Sequence, residues 1–154
     1  MNDTPPPLPP REIEAPSGFR TLVGYRLVHW APGEAKIAVT LDHRHTNRSG
    51  APHGGLIATI IDSAGGYAGC FCTVPGNVRR TVTLALATQF VARAGGTTIT
   101  AHGRVRGGGT RTFFSTIEVS DDFGRLIATG EGTYQYRPGS ETPEGTPYAP
   151  PAKE

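Results

Sequence analysis

Between Gly54 and Phe71 the chain reads GGLIATIIDSAGGYAGCF, and Leu56, Ile57, Ile60, Ile61, Ala64, Ala68 and Phe71 recur at spacings of three and four. That is the period of a helix. Too few polar residues interrupt it for the helix to lie on a surface, so most of its circumference has to be covered by the rest of the fold. Pro52 disfavours helix for the residue before it. Gly54 and Gly55 leave the first backbone N–H groups uncovered, so an oxygen-bearing group can approach the N-terminus. Asp62 sits in the middle of this apolar run, where a carboxylate is costly to bury unless it is paired, hydrogen-bonded or used in chemistry. Gly65 and Gly66 each weaken the helix by ~1 kcal/mol relative to alanine. Close packing of a partner helix or of a strand is the return they suggest.

Strand signals flank this helix on both sides. Tyr25 to Trp30 and Glu34 to Leu41 surround Ala31-Pro32-Gly33, a hairpin-turn composition, and Ile37, Val39 and Leu41 alternate with Lys36, Ala38 and Thr40. After Pro75 and Gly76 come four more segments, Thr81 to Val91, Thr97 to Arg106, Arg111 to Ser120 and Leu126 to Tyr136. Ala94-Gly95-Gly96, Gly107-Gly108-Gly109 and Asp121-Asp122-Phe123-Gly124 separate them at hairpin scale. Two strands, one helix and four strands predict an α+β fold, an antiparallel sheet curled around a single central helix. Gly18 to Val23 is expected to form a short turn or helix. Residues 1–16, MNDTPPPLPPREIEAP, read as a proline-rich disordered arm, residues 17–137 as one domain, and residues 138–154, rich in proline, glycine and charge, as a disordered tail.

The composition narrows the function. A net charge of +2, with Lys36 and Lys153 the only lysines, supplies no field of the kind nucleic-acid binding needs. No apolar run reaches the roughly 18 residues that span a bilayer, and the N-terminus lacks a signal-peptide pattern, so a cytoplasmic protein is expected. Cys70 and Cys72 are too closely spaced on a helix to bridge, and Cys-x-Cys is a poor zinc pattern; buried thiols are the expectation. His43 and His45, with His53 nearby, could be weighed as metal ligands, but a lone His-x-His is usually not one, and no metal is expected. Gly107-Gly108-Gly109 lacks the Lys and Ser/Thr of a phosphate-binding P-loop.

The residues Asn47, Gly50, His53-Gly54-Gly55 and Asp62, followed by Thr83 on the next strand, form a pattern that resembles the hotdog-fold acyl-CoA thioesterases of the phenylacetate-degradation (PaaI-like) type. The resemblance covers residues 17–136 and implies a curved antiparallel sheet wrapped around one helix. It implies hydrolysis of an acyl-CoA thioester to free acid and coenzyme A, with no cofactor beyond the coenzyme A of the substrate. Carried over position by position, Gly54 would offer its backbone N–H to the thioester carbonyl, and Asp62 would act as general base for water or as nucleophile. Asn47 would orient the water or carbonyl, His53 would brace the loop at the helix entry, and Thr83 would hold water beside the carboxylate. Two departures, Ala85 and Ala87 where relatives often carry polar residues, and a missing proline in Phe90-Val91-Ala92-Arg93-Ala94, bear on pocket shape and substrate more than on chemistry.

Gly54 and Asp62 are eight residues apart, about 12 Å along a helix, too far for both to meet one carbonyl carbon. Two antiparallel helices across a two-fold axis would close that gap, which predicts a homodimer with shared sites. The resemblance adds that such dimers often pair into tetramers. Gly55, Arg79, Arg80, Arg93, Arg104, Arg106 and Arg111 are candidate contacts to substrate, the arginines to coenzyme A phosphates, with solvated strand ends as the alternative for each arginine. Two rival functions remain at this point: an acyl-thioester hydratase or dehydratase, pairing His53 with Asp62, and a non-catalytic acyl-CoA-binding protein. A pure binder needs no carboxylate beside the carbonyl.

Overall fold

The structure, a computed structural model, describes residues 16–150. The expected N-terminal arm lies almost wholly outside them. A one-and-a-half-turn helix, α1 (Gly18–Val23), is capped by the Ser17 side chain, which accepts from the Arg20 N–H, and ends at Gly24. Strands β1 (Arg26–Ala31) and β2 (Glu34–Thr40) form the expected hairpin, turning through Gly33 at φ 76°. A 3-10 turn (His43–His45) and a loop lead to the long helix α2 (Gly54–Gly69). Then come β3 (Asn77–Val78), β4 (Thr81–Phe90), β5 (Thr98–Gly108), β6 (Thr112–Asp121), β7 (Leu126–Tyr136) and β8 (Thr146–Pro147).

Six of these strands make one antiparallel sheet in the order β1-β2-β5-β6-β7-β4, and α2 lies across its concave face. Ile57, Ile60, Ile61 and Ala64 of the helix pack on Ile37, Val39, Ile99, Ala101, Ile117 and Val119 of the sheet, all at most 6% exposed. The helix can sit this close because the strands beneath it are notched by glycine. A side chain on Gly103 would run into the Ala64 carbonyl, and one on Gly130 into Ile61. The Gly65 step works the same way from the helix side, its bare Cα facing the Tyr134 hydroxyl and Ile117, so its return comes from the strands of its own sheet.

Two expectations change. The last four strands are not a run of hairpins. β5 inserts between β2 and β6, while β4 pairs with β7 at the far edge of the sheet. Of α2, Thr59, Asp62, Ser63, Gly66 and Tyr67 remain half-exposed along one side.

The second change concerns the tail. Residues 138–150 are placed, with Ser140 only 3% exposed and β8 paired to β3. Their glycines and prolines give them no core of their own, but residues 72–80 satisfy their backbone. The Arg79 guanidinium donates to the carbonyls of Phe71, Ser140 and Glu141 and lies 4.6 Å over the Tyr136 ring. Asn77 and Cys72 both donate to the Glu144 carbonyl.

Candidate active site

The local chain folds the entry of α2 into a rigid loop. Asn47 closes it, its side-chain oxygen accepting the N–H groups of Ser49 (2.9 Å) and Ala51 (3.2 Å) while its own N–H reaches the Ala51 carbonyl. Gly50, at φ 72°, supplies the left-handed residue that this turn requires. With its oxygen occupied, Asn47 has only its NH2 group left to offer a substrate. His53 then caps the helix, Nδ1 accepting the Gly55 N–H at 2.9 Å, which puts the ring proton on Nε2. This brace takes Gly55 out of the set of substrate contacts. The Gly54 N–H has no acceptor among the described residues, so the helix N-terminus presents one open donor, backed by the helix dipole.

Two turns further along, Asp62 is half-buried and faces β4, where the Thr83 hydroxyl donates to its Oδ1 at 2.6 Å. Thr83 therefore holds the carboxylate itself. The buried Tyr134 hydroxyl reaches the Asp62 backbone carbonyl at 3.3 Å and fixes this turn of the helix against the sheet. Burial first, and the Asp62 charge second, push that phenol above the usual tyrosine range, so it stays a donor. Sequence reasoning did not single out Tyr134. The row Gly130, Gly132, Tyr134, small residues and then one large one on the helix-facing side of β7, is the signal that could have found it.

Phe90 was missed as a site residue as well. Its ring lies beside the open amide: a Cβ built on Gly54 would stand 3.3 Å from Cζ and 3.4 Å from Cε1 of Phe90, yet the ring is 58% exposed.

The arginines separate clearly. Arg79 is engaged by three carbonyls and is removed from the phosphate candidates, and the Arg80 backbone is bound to the Ser140 hydroxyl and the Arg137 N–H. Arg104 pairs with Glu118 at 3.5 Å and Arg106 donates to Thr116, both on the convex face of the sheet, away from the helix. Arg111 sits at the exposed β5–β6 turn. Only Arg93 of these candidates stands at the site's mouth, its guanidinium donating to the Ser49 carbonyl of the Asn47 loop.

His45 is buried, its Nδ1 accepting from the Asp42 N–H and its Nε2 at 2.8 Å from the Val23 carbonyl, so neither ring nitrogen faces a free space. Both cysteines are buried and free, and burial pushes the Cys70 thiol up to about 11. Among the described residues no helix is long and apolar enough to cross a membrane.

The open amide of Gly54 and the tethered carboxylate of Asp62 both lie inside the stretch that a family model matches. The family described as "Thioesterase superfamily" matches residues 50–128, just over half the chain and all of α2, β4, β5 and β6. The chain belongs to the thioesterase superfamily. Acyl-coenzyme A thioesterase 13 of Mus musculus is 33% identical over 122 residues, 79% of this chain and 86% of the relative. The Homo sapiens protein of the same name is 34% identical over 74% of this chain and 81% of its own.

Among solved structures, a mutant of the phenylacetic acid degradation protein PaaI from Thermus thermophilus aligns with a TM-score of 0.66. It is 26% identical, and the alignment covers 77% of this chain and 98% of that one. The Escherichia coli PaaI protein, 20% identical over 86% of this chain and 88% of its own, aligns with a TM-score of 0.69 and shares the fold. The protein is thus a hotdog-fold, PaaI-like thioesterase.

Proposed function

We propose that this thioesterase hydrolyses acyl-coenzyme A to free acid and coenzyme A, without a metal or organic cofactor, in sites shared between two chains. The observation that carries this reading is the pairing of an Asp62 carboxylate held at 2.6 Å by Thr83 with an unfilled Gly54 N–H on the same helix. In the reaction Asp62 takes a proton from water as the water oxygen bonds to the thioester carbon. The carbonyl electron pair moves to its oxygen, where the Gly54 N–H and the helix N-terminus stabilise the developing charge. Collapse of this intermediate breaks the carbon–sulfur bond, and the departing thiolate takes up the proton. A nucleophilic route through an anhydride uses the same carboxylate and ends in the same products.

Because Gly54 and Asp62 lie about 12 Å apart on one helix, each carbonyl would take them from different chains. The free edge of the sheet supports such a dimer. Beyond β7, β4 has no strand partner among the described residues, and Val82, Leu84, Leu86 and Phe90 along it are all at least 36% exposed, a surface that isolated chains rarely leave open. Phe90 touches Gly54 at one end of β4, and Thr83 bonds Asp62 near the other. A two-fold axis through the middle of β4 would set these ends side by side, bringing Gly54 of one chain to the partner subunit's Asp62.

A dimer of dimers is the further assembly this reading carries. The hydratase reading has less support, because the His53 Nδ1 is tied to the Gly55 N–H and the ring is exposed at the loop rather than paired with Asp62.

The test is thiol release from a panel of aliphatic and aromatic acyl-CoAs by wild type and Asp62→Ala. Loss of a base is worth about 10²–10⁴ in kcat, so the variant should be slower by at least a hundredfold while remaining folded. Equal rates would remove Asp62 from the mechanism. Altered double bonds with no free thiol would favour the hydratase, and binding without turnover in wild type a carrier.

A further inference from the structure

The helix-facing positions of β4 end in an exposed aromatic ring, and its place is defined from two sides. Phe90 pairs with Ala128, as Thr88 pairs with Gly130 and Leu86 with Gly132. Gly130 is the residue whose missing side chain makes room for Ile61 of α2, so Leu86, Thr88 and Phe90 are on the helix side of the sheet. They nonetheless lie beyond the cover of the helix, with Leu86 36% and Phe90 58% exposed. The loop that leads into Gly54 is polar instead: Asn47 and Ser49 carry it, Arg93 donates to it, and the exposed Arg48 stands within it.

We infer that Phe90 is the residue that screens the acyl group at its α-carbon, and that the thioester lies with its acyl chain toward Phe90 and Leu86 and its pantetheine arm toward the Asn47 loop. This rests on the reading of Gly54 as the carbonyl donor. A carbonyl oxygen at ~2.9 Å from the Gly54 nitrogen puts both substituents of the carbonyl carbon within roughly 6 Å of that nitrogen. The Phe90 ring stands 3.3 Å from the Gly54 Cβ position, which puts it within reach of one of them. The apolar row along β4 suits hydrocarbon, and the amides and phosphates of coenzyme A match the donors of Asn47, Arg48 and Arg93. The open ring face leaves room for a CH2 at the α-carbon and crowds a branched one.

The experiment compares butyryl-CoA with isobutyryl-CoA, isomers that differ only in branching at the α-carbon, and the N-acetylcysteamine thioesters of the same two acids. Thiol release is followed for wild type, Phe90→Leu and Phe90→Ala, each checked for folding by thermal melt. One methylene in an apolar pocket is worth about 10- to 200-fold, so Phe90→Ala should raise the isobutyryl-to-butyryl ratio of kcat/KM by about tenfold or more, with Phe90→Leu in between. The preference for coenzyme A over the short thiol should stay where it is. Equal changes for both acids would overturn the inference, and so would a change in the coenzyme A preference alone, which would put Phe90 on the pantetheine side. Should wild type release thiol normally and only the branching ratio fail to move, the hydrolase reading stands and this one falls. No release by wild type from any of the four substrates would sink both.

Discussion

Replacing Thr83 by valine keeps the shape of the side chain and removes only the hydroxyl that donates to Asp62 Oδ1 at 2.6 Å. A hydrogen bond to a charged group is worth about 1.5–3 kcal/mol. Thr83 is exposed and Asp62 half-buried in the single chain, so solvent competes for the carboxylate and the lower end of that range applies. At about 1.4 kcal/mol per factor of ten, kcat should fall roughly tenfold, with little change in KM because the hydroxyl positions the carboxylate and not the substrate. Thr83→Ser keeps the donor and should stay near wild type.

A double-mutant cycle makes the reasoning sharper. If Thr83 acts only through Asp62, adding Thr83→Val to Asp62→Ala should cost nothing further in rate, an interaction energy equal to the whole single-mutant effect. Thiol-release kinetics on one acyl-CoA suffices for all four proteins. A Thr83→Val enzyme within twofold of wild type would refute the tether. Additive losses in the double mutant would show that Thr83 has a contact of its own.

Two further outcomes test the scaffold. Gly103→Ala places a methyl group against the backbone of Ala64, 2.6 Å from its carbonyl carbon, where no side chain can rotate away. It should destabilise by about 3 kcal/mol, near the top of the overpacking range, and lower Tm by roughly 2–4 °C per kcal/mol; an unchanged Tm would mean that the helix is free to lift from β5. Acidification should weaken the fold through the pair His102 and Glu34 on β5 and β2, flanked by His29, Lys36 and Arg104. Burial holds the His102 pKa below its ordinary value, so as pH falls through about 6.5 the unfolded chain takes the proton first and stability is lost down to the folded pKa. Hydrogen bonding from His102 lowers the Glu34 pKa, so its contribution is present above about 4.5 and disappears as pH drops further. Melting His102→Gln from pH 7 to 5 should give a flatter profile than wild type. Parallel profiles would locate the acid sensitivity elsewhere.

How far the sequence could be read depended on the range of each interaction. The α2 helix, its entry loop, the first hairpin and every strand of the main sheet follow from periodicity and turn residues, because those signals are local. The position of β4 does not. Its link to β5 has hairpin composition, and only the pairing of Leu86 with Gly132 and of Phe90 with Ala128, distant in the chain, puts the strand at the sheet edge.

The placement of residues 138–150 was equally hidden, since Arg79, Asn77 and Cys72 hold backbone carbonyls, which leave no pattern in a sequence. The same blindness made Arg79 look like a phosphate ligand and Gly55 like a free amide. Thr83 joined Asp62 and Gly54 only through the family resemblance, and the bond between Asp62 and Thr83 and the ring beside Gly54 needed the fold.

The two things this chain leaves unfinished are at the same place. β4 has an outer edge and apolar side chains with no strand beside them among the described residues, and α2 shows its half-exposed side next to β4, with a donor at one end and a carboxylate at its middle. An edge strand can be protected by charge, proline or a bulge; here only a register irregularity between Thr83 and Ala85 interrupts ten residues without a charged side chain. A strand evolved to stay single would not be left so open. In the proposed dimer, pairing two such edges also solves the chemistry, since a symmetric antiparallel pair exchanges the ends of the strand and each end carries half a site, Phe90 with Gly54 and Thr83 with Asp62. Burial at the edge and completion of the site are then one event, and an isolated chain would be inactive for the same reason that it is incompletely covered.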